Sequence, residues 1–508
     1  DRLRSRGLGD VYKRQAHGSA TKNACGQNGV LENMREVNWN NVKREAPKWF
    51  RDAKFGLFFH WGPYSVPAYQ NEWYSRNMYC KGLEQNQYHE KTYGSLHDFG
   101  YKDFYDMLKG EKFDPDQWAS LVKRSGAKYA GAVSEHADNF SMWDSAVNPI
   151  NSMNYGPHRD IVGECTEAFR KQGIRTVATF HHQWLWGWFM STDNEADVYI
   201  PENEKYYGPA LPLETNRYIP YRYPDEAFCK IWRDKVLEVI DKYEPDEVYF
   251  DSRTCIIQED YRYDVAEYYY NTREIKDGII TYKQEDYPKD IGVYDIECGR
   301  FSSPKDFPWQ SDDRLEDNIT WCMVQNPKYK SAERIIHQLC DIVSKNGNLL
   351  LNVGPYADGS FHPDAVRILE EIGDWLALNG KAIYETRPFK VAAEGPTTVD
   401  DANYDVGKIQ EQLDKGDAVD VHSDTLTAQD FRFTTHGDAL YAIAFGWPED
   451  GEFCIRTLRK GGAFDGEIKK VTMLGNEGEL AFYRKEDGLY VKAPKKKPCD
   501  CAYVLKIK

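Results

Sequence analysis

Two carboxylates in this 508-residue chain stand where bond-breaking chemistry is possible. Asp251 follows the segment PDEVYF and precedes Ser252-Arg253, so its carboxylate should emerge at the end of a buried strand. A partly desolvated carboxylate beside aromatic rings such as Tyr249 suits the nucleophile of retaining glycoside hydrolysis. A helix cap or an ion pair with Arg253 is the plainer alternative. Glu297 follows in YDIECGR. A retaining pair needs a second carboxyl roughly 5–5.5 Å from the nucleophile, with a raised pKa so that it can protonate a leaving oxygen. A loop pairing with Arg300 is the alternative for Glu297, and distance along the chain does not separate the two.

Residues 54–79, KFGLFFHWGPYSVPAYQNEWYSRNMY, supply a different chemistry. The apolar run Phe55 to Phe59 ends in His60-Trp61-Gly62 and is followed by Tyr64, Tyr69, Glu72, Trp73, Tyr74 and Arg76. Rings that pack on C–H faces, mixed with His, Glu and Arg that fix orientation, form the lip of a pocket for a hydroxyl-rich ligand. His136 and His181 also fall at the ends of apolar runs. Each alone reads as a hydrogen-bonded core histidine; together with His60 they favour a binding site. A metal-dependent hydrolase is the competing reading, but no HxH pair on a first strand and no HExxH helix is present. No metal and no cofactor are therefore expected.

These side chains must be delivered by a scaffold. Short runs rich in Val, Ile, Leu and Phe at Phe55–His60, Lys128–Glu135, Arg175–His182, Glu247–Asp251, Ile279–Lys283 and Asn348–Val353 read as strands covered on both faces. Helical patterns lie between them. One over Ser331–Lys345 places Ile335, Ile336, Leu339, Ile342 and Val343 on one stripe, with Gly347 as its stop. The strands finish in His60, Glu135-His136, His181-His182, Asp251, Lys283 and Asn352. A series of polar strand ends is the pattern of a (β/α)8 barrel with its site at the C-terminal face. A doubly wound open sheet would usually carry a GxGxxG loop, which is absent. From Asp430 onward FRFTT, ALYAIAF, EFCIRTL, KKVTML, ELAFYR, GLYVKA and AYVLKI, separated by turn residues, predict a small antiparallel β-sandwich. The expected division is a catalytic barrel over 45–388, an irregular linker over 389–429 and the sandwich over 430–508. Residues 1–15, DRLRSRGLGDVYKRQ, resemble a translated sequencing adapter, and 16–44 read as a leader.

A formal net charge of −16 argues against a nucleic-acid partner or an anionic membrane surface. No apolar run approaches the ~18–20 residues that span a bilayer. The eleven cysteines include no CxxC pair and read mostly as small buried residues.

Taken in order, WFRDAKFGLFFHWGPYSVPAYQNEWYSRNMY, EHADNFSMWDS, GPHRDIVGE, PDEVYFDSR and DIVSKNGNLLLNVGPYADGSF resemble the signature segments of the α-L-fucosidases of glycoside hydrolase family 29. The resemblance covers about residues 45–388, and the tail from Asp430 is similar to that family's C-terminal β-sandwich. It implies a retaining exo-hydrolase that removes terminal α-L-fucose from an oligosaccharide or glycoconjugate through a covalent fucosyl-enzyme. Asp251 falls on the family nucleophile and Glu297 in the region of the acid/base. His60, Glu72, Trp73 and His136 match positions that contact the fucose ring, with Phe250 or Trp309 sheltering the C6 methyl. His181, Tyr249 and Lys283 complete the expected sugar-binding set. Three positions depart from the family. Ala137 replaces the second residue of a common His-His pair, Tyr249 stands where tryptophan is common, and Lys283 stands where arginine is common. Arg to Lys exchanges a bidentate fork for a point charge. Gln310 lies where some relatives carry a glutamate. These departures imply a preference shifted toward a sugar related to fucose, such as L-galactose, or a glycan-binding protein on the same scaffold.

Overall fold

Eight parallel strands close on themselves in chain order, the last pairing with the first. They are β1 (Phe55–Phe59), β2 (Tyr129–Glu135), β3 (Arg175–Phe180), β4 (Glu247–Phe250), β5 (Ile279–Lys283), β6 (Val293–Asp295), β7 (Trp309–Arg314) and β8 (Gly347–Asn352). The computed structural model describes residues 37–508 apart from 210, 212–222, 274, 276, 398–424 and 465. The segment expected as an adapter scar and most of the expected leader lie outside the described residues, as does most of the expected linker. Among the described residues no helix is long and apolar enough to cross a membrane.

Six of the eight strands coincide with apolar runs and two do not. β6 is only three residues long, and β7 reads Trp-Gln-Ser-Asp-Asp-Arg, polar yet wholly buried. Strands of this kind carry no hydrophobic signal, because buried positions in them are filled by polar side chains. The helix Ala332–Ser344 is capped by the Ser331 hydroxyl, which accepts from the Arg334 backbone N–H. Its stop differs from the expectation. Asn346 takes the left-handed conformation (φ 75°), while Gly347 opens β8. A Cβ on Gly347 would lie 2.7 Å from the Trp309 ring, so the glycine serves close strand packing and not helix termination.

Side chains alternate along each strand, and residues two apart line the barrel in layers. Glu247 belongs to a lower layer, where its Oε1 accepts from Thr281 Oγ1 (2.8 Å) and Gln310 Nε2 (3.0 Å), and Tyr129 donates to Gln310 Oε1 (2.9 Å). The middle is apolar, with Phe58, Val133, Val177, Tyr249 and Leu350 in one cluster. One step further up, the same alternation reaches His60, Asp251, Lys283 and Asp312.

The C-terminal part is a sandwich of two antiparallel sheets around a shared core containing Phe431, Phe433, Phe453, Leu489 and Val491. All seven predicted β patterns form strands: β10 (Phe431–His436), β11 (Ala439–Ala444), β12 (Glu452–Ile455), β13 (Val471–Met473), β14 (Phe482–Arg484), β15 (Leu489–Lys492) and β16 (Tyr503–Ile507). An eighth, β9 (Arg387–Glu394), lies largely in the stretch read as linker and forms the edge of the five-stranded sheet, β13-β16-β11-β10-β9. The seam to the barrel is ionic. Arg432 of β10 donates to Asp341 Oδ1 (2.5 Å), and Lys345 pairs with Asp341 Oδ2 (2.6 Å), all three buried. Burial pushes the Asp341 carboxyl up, but the two cations outweigh it and hold it well below the usual carboxylate range. Asp341→Ala strands two buried cations and should destabilise the protein by about 3–5 kcal/mol. A lowered denaturation midpoint checks this, and an unchanged midpoint would show that the seam contributes nothing.

Candidate active site

The centre of the upper layer is one ammonium group. Lys283, the last residue of β5, directs Nζ to Glu297 Oε2 (2.9 Å), Asp312 Oδ2 (3.0 Å) and Asp251 Oδ1 (3.2 Å). Asp251 and Glu297 oxygens that share one ammonium are at most about 6 Å apart, the range of a retaining pair and shorter than the ~6.5–9.5 Å of an inverting one. The Lys283 side chain is 5% exposed, whereas Asp251 and Glu297 are 15% and 21% exposed. Both carboxylates can therefore meet a ligand while the cation beneath them cannot leave.

Each carboxylate is held by its own framework. Asp251 follows β4, its backbone N–H donating to Phe180 O (3.0 Å), and its Oδ2 accepts from Trp184 Nε1 (2.8 Å). Gln183 Nε2 donates to the Asp251 carbonyl (2.7 Å), and the Arg253 guanidinium lies 4.3 Å over the Trp184 ring. Glu297 sits between two backbone bonds to β7, Ile296 N–H to Gln310 O (2.9 Å) and Cys298 N–H to Asp312 O (2.7 Å). Cys298 has φ 45°, a left-handed conformation unusual for a residue with a Cβ. Its thiol donates to Asp313 Oδ1 (3.2 Å) and accepts from Arg314 Nη1 (3.0 Å).

The electrostatics follow from burial. Burial pushes the Glu297 carboxyl up to about 7, although Lys283 pulls the other way. Burial also drives Asp295 well above the carboxylate range, reinforced by neighbouring Asp312. Burial pulls the Lys283 ammonium down, but Asp312 and Glu297, followed by Tyr249 and Asp251, outweigh it and hold it well above its ordinary value.

Facing this cluster are three imidazoles from adjacent strand ends. Ring centroids are 5.1 Å apart for His60 and His181, 5.7 Å for His60 and His136, and 5.0 Å for the stacked pair His136 and His181. Burial lowers His60 to about 4 and holds His136 and His181 well below the usual histidine range, so all three are neutral. Glu72 is pushed up to about 7 by burial, and its Oε2 accepts from the Trp321 backbone N–H (2.8 Å). Trp73 packs edge-on against Trp184 at 5.5 Å, beside the indole that donates to Asp251. Tyr249 donates to Asp312 Oδ2 (3.1 Å) and its ring lies 6.0 Å from His181.

The structure thus brings Asp251, Glu297, His60, Glu72, Trp73, His136, His181, Tyr249 and Lys283 into one region. Trp309 is not among them. It opens β7 at the opposite end of the barrel, donates to Lys345 O (2.9 Å) and packs on Phe301, so it shelters no sugar methyl. Phe250 is also turned away, against Phe180, Trp232 and Tyr287, because alternation sends it outward between the inward-facing Tyr249 and Asp251. Gln310 lies one layer too low to stand in for an acid at the site. The apolar wall is supplied instead by Trp321, 5.5 Å from His60 and 5.9 Å from Phe58, with the Lys283 ammonium 5.9 Å from its ring. Trp321, Asp312 and Asp295 carry no sequence signal: the first is in a loop, the second lies within the polar β7 and the third ends the three-residue β6.

A family model described as alpha-L-fucosidase matches residues 26–381, and one described as alpha-L-fucosidase C-terminal domain matches residues 423–508. The chain belongs to the α-L-fucosidase family. It is 29% identical to the tissue alpha-L-fucosidase of Rattus norvegicus over 501 residues, covering 94% of each chain. It is 30% identical to the alpha-L-fucosidase of Dictyostelium discoideum over 369 residues, 70% of this chain and 75% of the relative. The fold is similar to that of Thermotoga maritima α-fucosidase in complex with fucose, with a TM-score of 0.71 at 25% identity, covering 93% and 100% of the two chains. Family membership makes the protein a glycoside hydrolase that cleaves α-L-fucosyl linkages.

In this fucosidase a carboxyl raised to about 7 is protonated below that pH and loses its proton above it. If Glu297 is the acid, kcat/KM should therefore fall above pH about 7, tenfold per pH unit. Lys283→Met removes the charge that holds the Glu297 carboxyl down, so the alkaline limb should move to higher pH as kcat falls. A pH–rate profile with an aryl α-L-fucoside reads both, and an unmoved limb in Lys283→Met would dissociate Lys283 from the acid.

Proposed function

We propose that this fucosidase releases terminal α-L-fucose from fucosylated oligosaccharides or glycoconjugates by a double displacement in which Asp251 is the nucleophile and Glu297 the acid/base. The observation that carries the assignment is the shared contact of both carboxylates with Lys283. Asp251 attacks the anomeric carbon as Glu297 donates its proton to the leaving oxygen, and the C1–O bond breaks to leave a fucosyl ester on Asp251. Glu297, now ionised, takes a proton from water, whose oxygen attacks C1 and frees the aspartate with net retention.

Sugar recognition falls to the opposite wall. His60, His136 and His181 present neutral imidazoles to ring hydroxyls, Glu72 adds a carboxyl, and Trp73 adds an indole. Trp321, partly exposed and packed on the buried Phe58, offers the apolar surface that a C6 methyl requires. The imidazole missing at Ala137 is matched by His181, delivered from the next strand and stacked on His136. This replacement, together with the intact carboxylate pair, supports a working enzyme over a glycan-binding relic.

Asp251→Ala should lower turnover of an aryl α-L-fucoside at least ~10³-fold, since the covalent route disappears. Proton NMR of the wild-type reaction should show α-L-fucose as the first product. Release of the β-anomer first, or unchanged activity in Asp251→Ala, would sink the assignment.

A further inference from the structure

We infer that His60, His136 and His181 also form a binding site for a divalent transition cation such as zinc, cobalt, nickel or copper, which competes with the sugar for the same wall of the pocket. The competition rests on the proposed role of that wall in fucose recognition; the cation site itself rests only on the histidines.

One ring nitrogen from each histidine lies within 4.8 Å of the others, and all three residues are buried. Their strands are neighbours in the barrel, β1 beside β2 and β2 beside β3, so the rings converge because their backbones are hydrogen-bonded together. The tautomer of His60 can be worked out from its partners. Asn352 Nδ2 donates to Trp321 O (2.5 Å), which turns Asn352 Oδ1 toward His60. That oxygen accepts from the His60 backbone N–H (3.1 Å) and lies 2.7 Å from Nδ1. Nδ1 must then carry the hydrogen, leaving the Nε2 lone pair free. A ligating histidine typically has this arrangement, one ring N–H donated to a carbonyl and the other nitrogen bare.

His136 and His181 differ from His60 in one respect. Their Nδ1 atoms are buried and have no hydrogen-bond partner among the described residues. Zinc holds imidazole nitrogens at ~2.0–2.1 Å in a tetrahedral site, which puts ligand nitrogens roughly 3.4 Å from one another. The cluster exceeds that by at most about 1.4 Å at its largest separation. No Nδ1 contact restrains the two rings that must close the gap, while His60 stays as the fixed anchor. Three neutral nitrogens suit zinc, nickel and copper and give little to magnesium or calcium, which prefer oxygen.

The test is titration of the full-length protein with Co2+, followed by visible absorption and calorimetry, with and without saturating L-fucose. The expected result is one ion per chain with the intense bands of tetrahedral cobalt, displaced by Zn2+ and not by Mg2+. Affinity should fall at least ~10-fold in His181→Phe and in His136→Gln. Unfolding transitions of the two variants establish that each is folded. Absence of the tetrahedral spectrum, or binding unchanged in both folded variants, overturns the site. Binding that depends on the histidines but ignores fucose keeps the cation site and overturns the pocket's reading as the sugar seat.

Discussion

One buried ammonium sets the terms for the rest of this active site. Lys283 touches three carboxylates, and Asp295, at the end of the neighbouring β6, adds a fourth beside them. So many acids cannot all ionise in a desolvated space around one cation. Burial resolves the conflict by driving some to the neutral form: Asp295 is pushed well up and Glu297 to about 7. A retaining glycosidase needs one ionised carboxylate and one protonated one at the same pH. Here burial supplies in Glu297 a carboxyl that keeps its proton up to about pH 7.

The barrel makes such a concentration of charge possible. Alternate strands fill each layer with inward side chains, and the ends of eight short strands bring polar groups from distant parts of the chain to one face. The lower polar layer of Glu247, Thr281, Gln310 and Tyr129 is hydrogen-bonded internally through Glu247 Oε1, while Glu247 Oε2 has no partner among the described residues. Phe58, Tyr249 and Leu350 seal it from the layer above. The apolar middle keeps water from reaching Lys283 from beneath, which preserves the strength of its ion pairs. On the outside, Phe250 and its aromatic neighbours hold β4 in register so that Asp251 arrives at the rim.

Much of this was readable from the chain. The strand carrying Asp251 is apolar up to the residue before it, and a carboxylate after such a run has few places to go other than a strand end. His60, His136 and His181 follow the same rule. The rule fails where strands are short or polar. β7 buries Gln310, Asp312 and Asp313 without a hydrophobic pattern, so nothing marks Asp312 as an inward group or Trp309 as the start of a strand. Its aromatic character suggested sugar packing, but its position at the start of β7 puts it a barrel length from the sugar.

By itself the sequence determined which chemistry the chain carries: an ordered set of strand ends, a nucleophile candidate, an aromatic and histidine-rich lip, and a β-rich tail. These are local properties, set by side-chain type and by the two-residue period of a strand. Only the tertiary structure decided which of those groups meet. It joined Asp251 to Glu297 through Lys283, supplied Trp321 from a loop, and stacked His181 on His136 where Ala137 offers no imidazole. Those relations depend on barrel closure and on layer height, which bring residues far apart in the chain to one level. The ionisation of each group then depends on how deeply that level is buried, and no spacing along the chain encodes that depth.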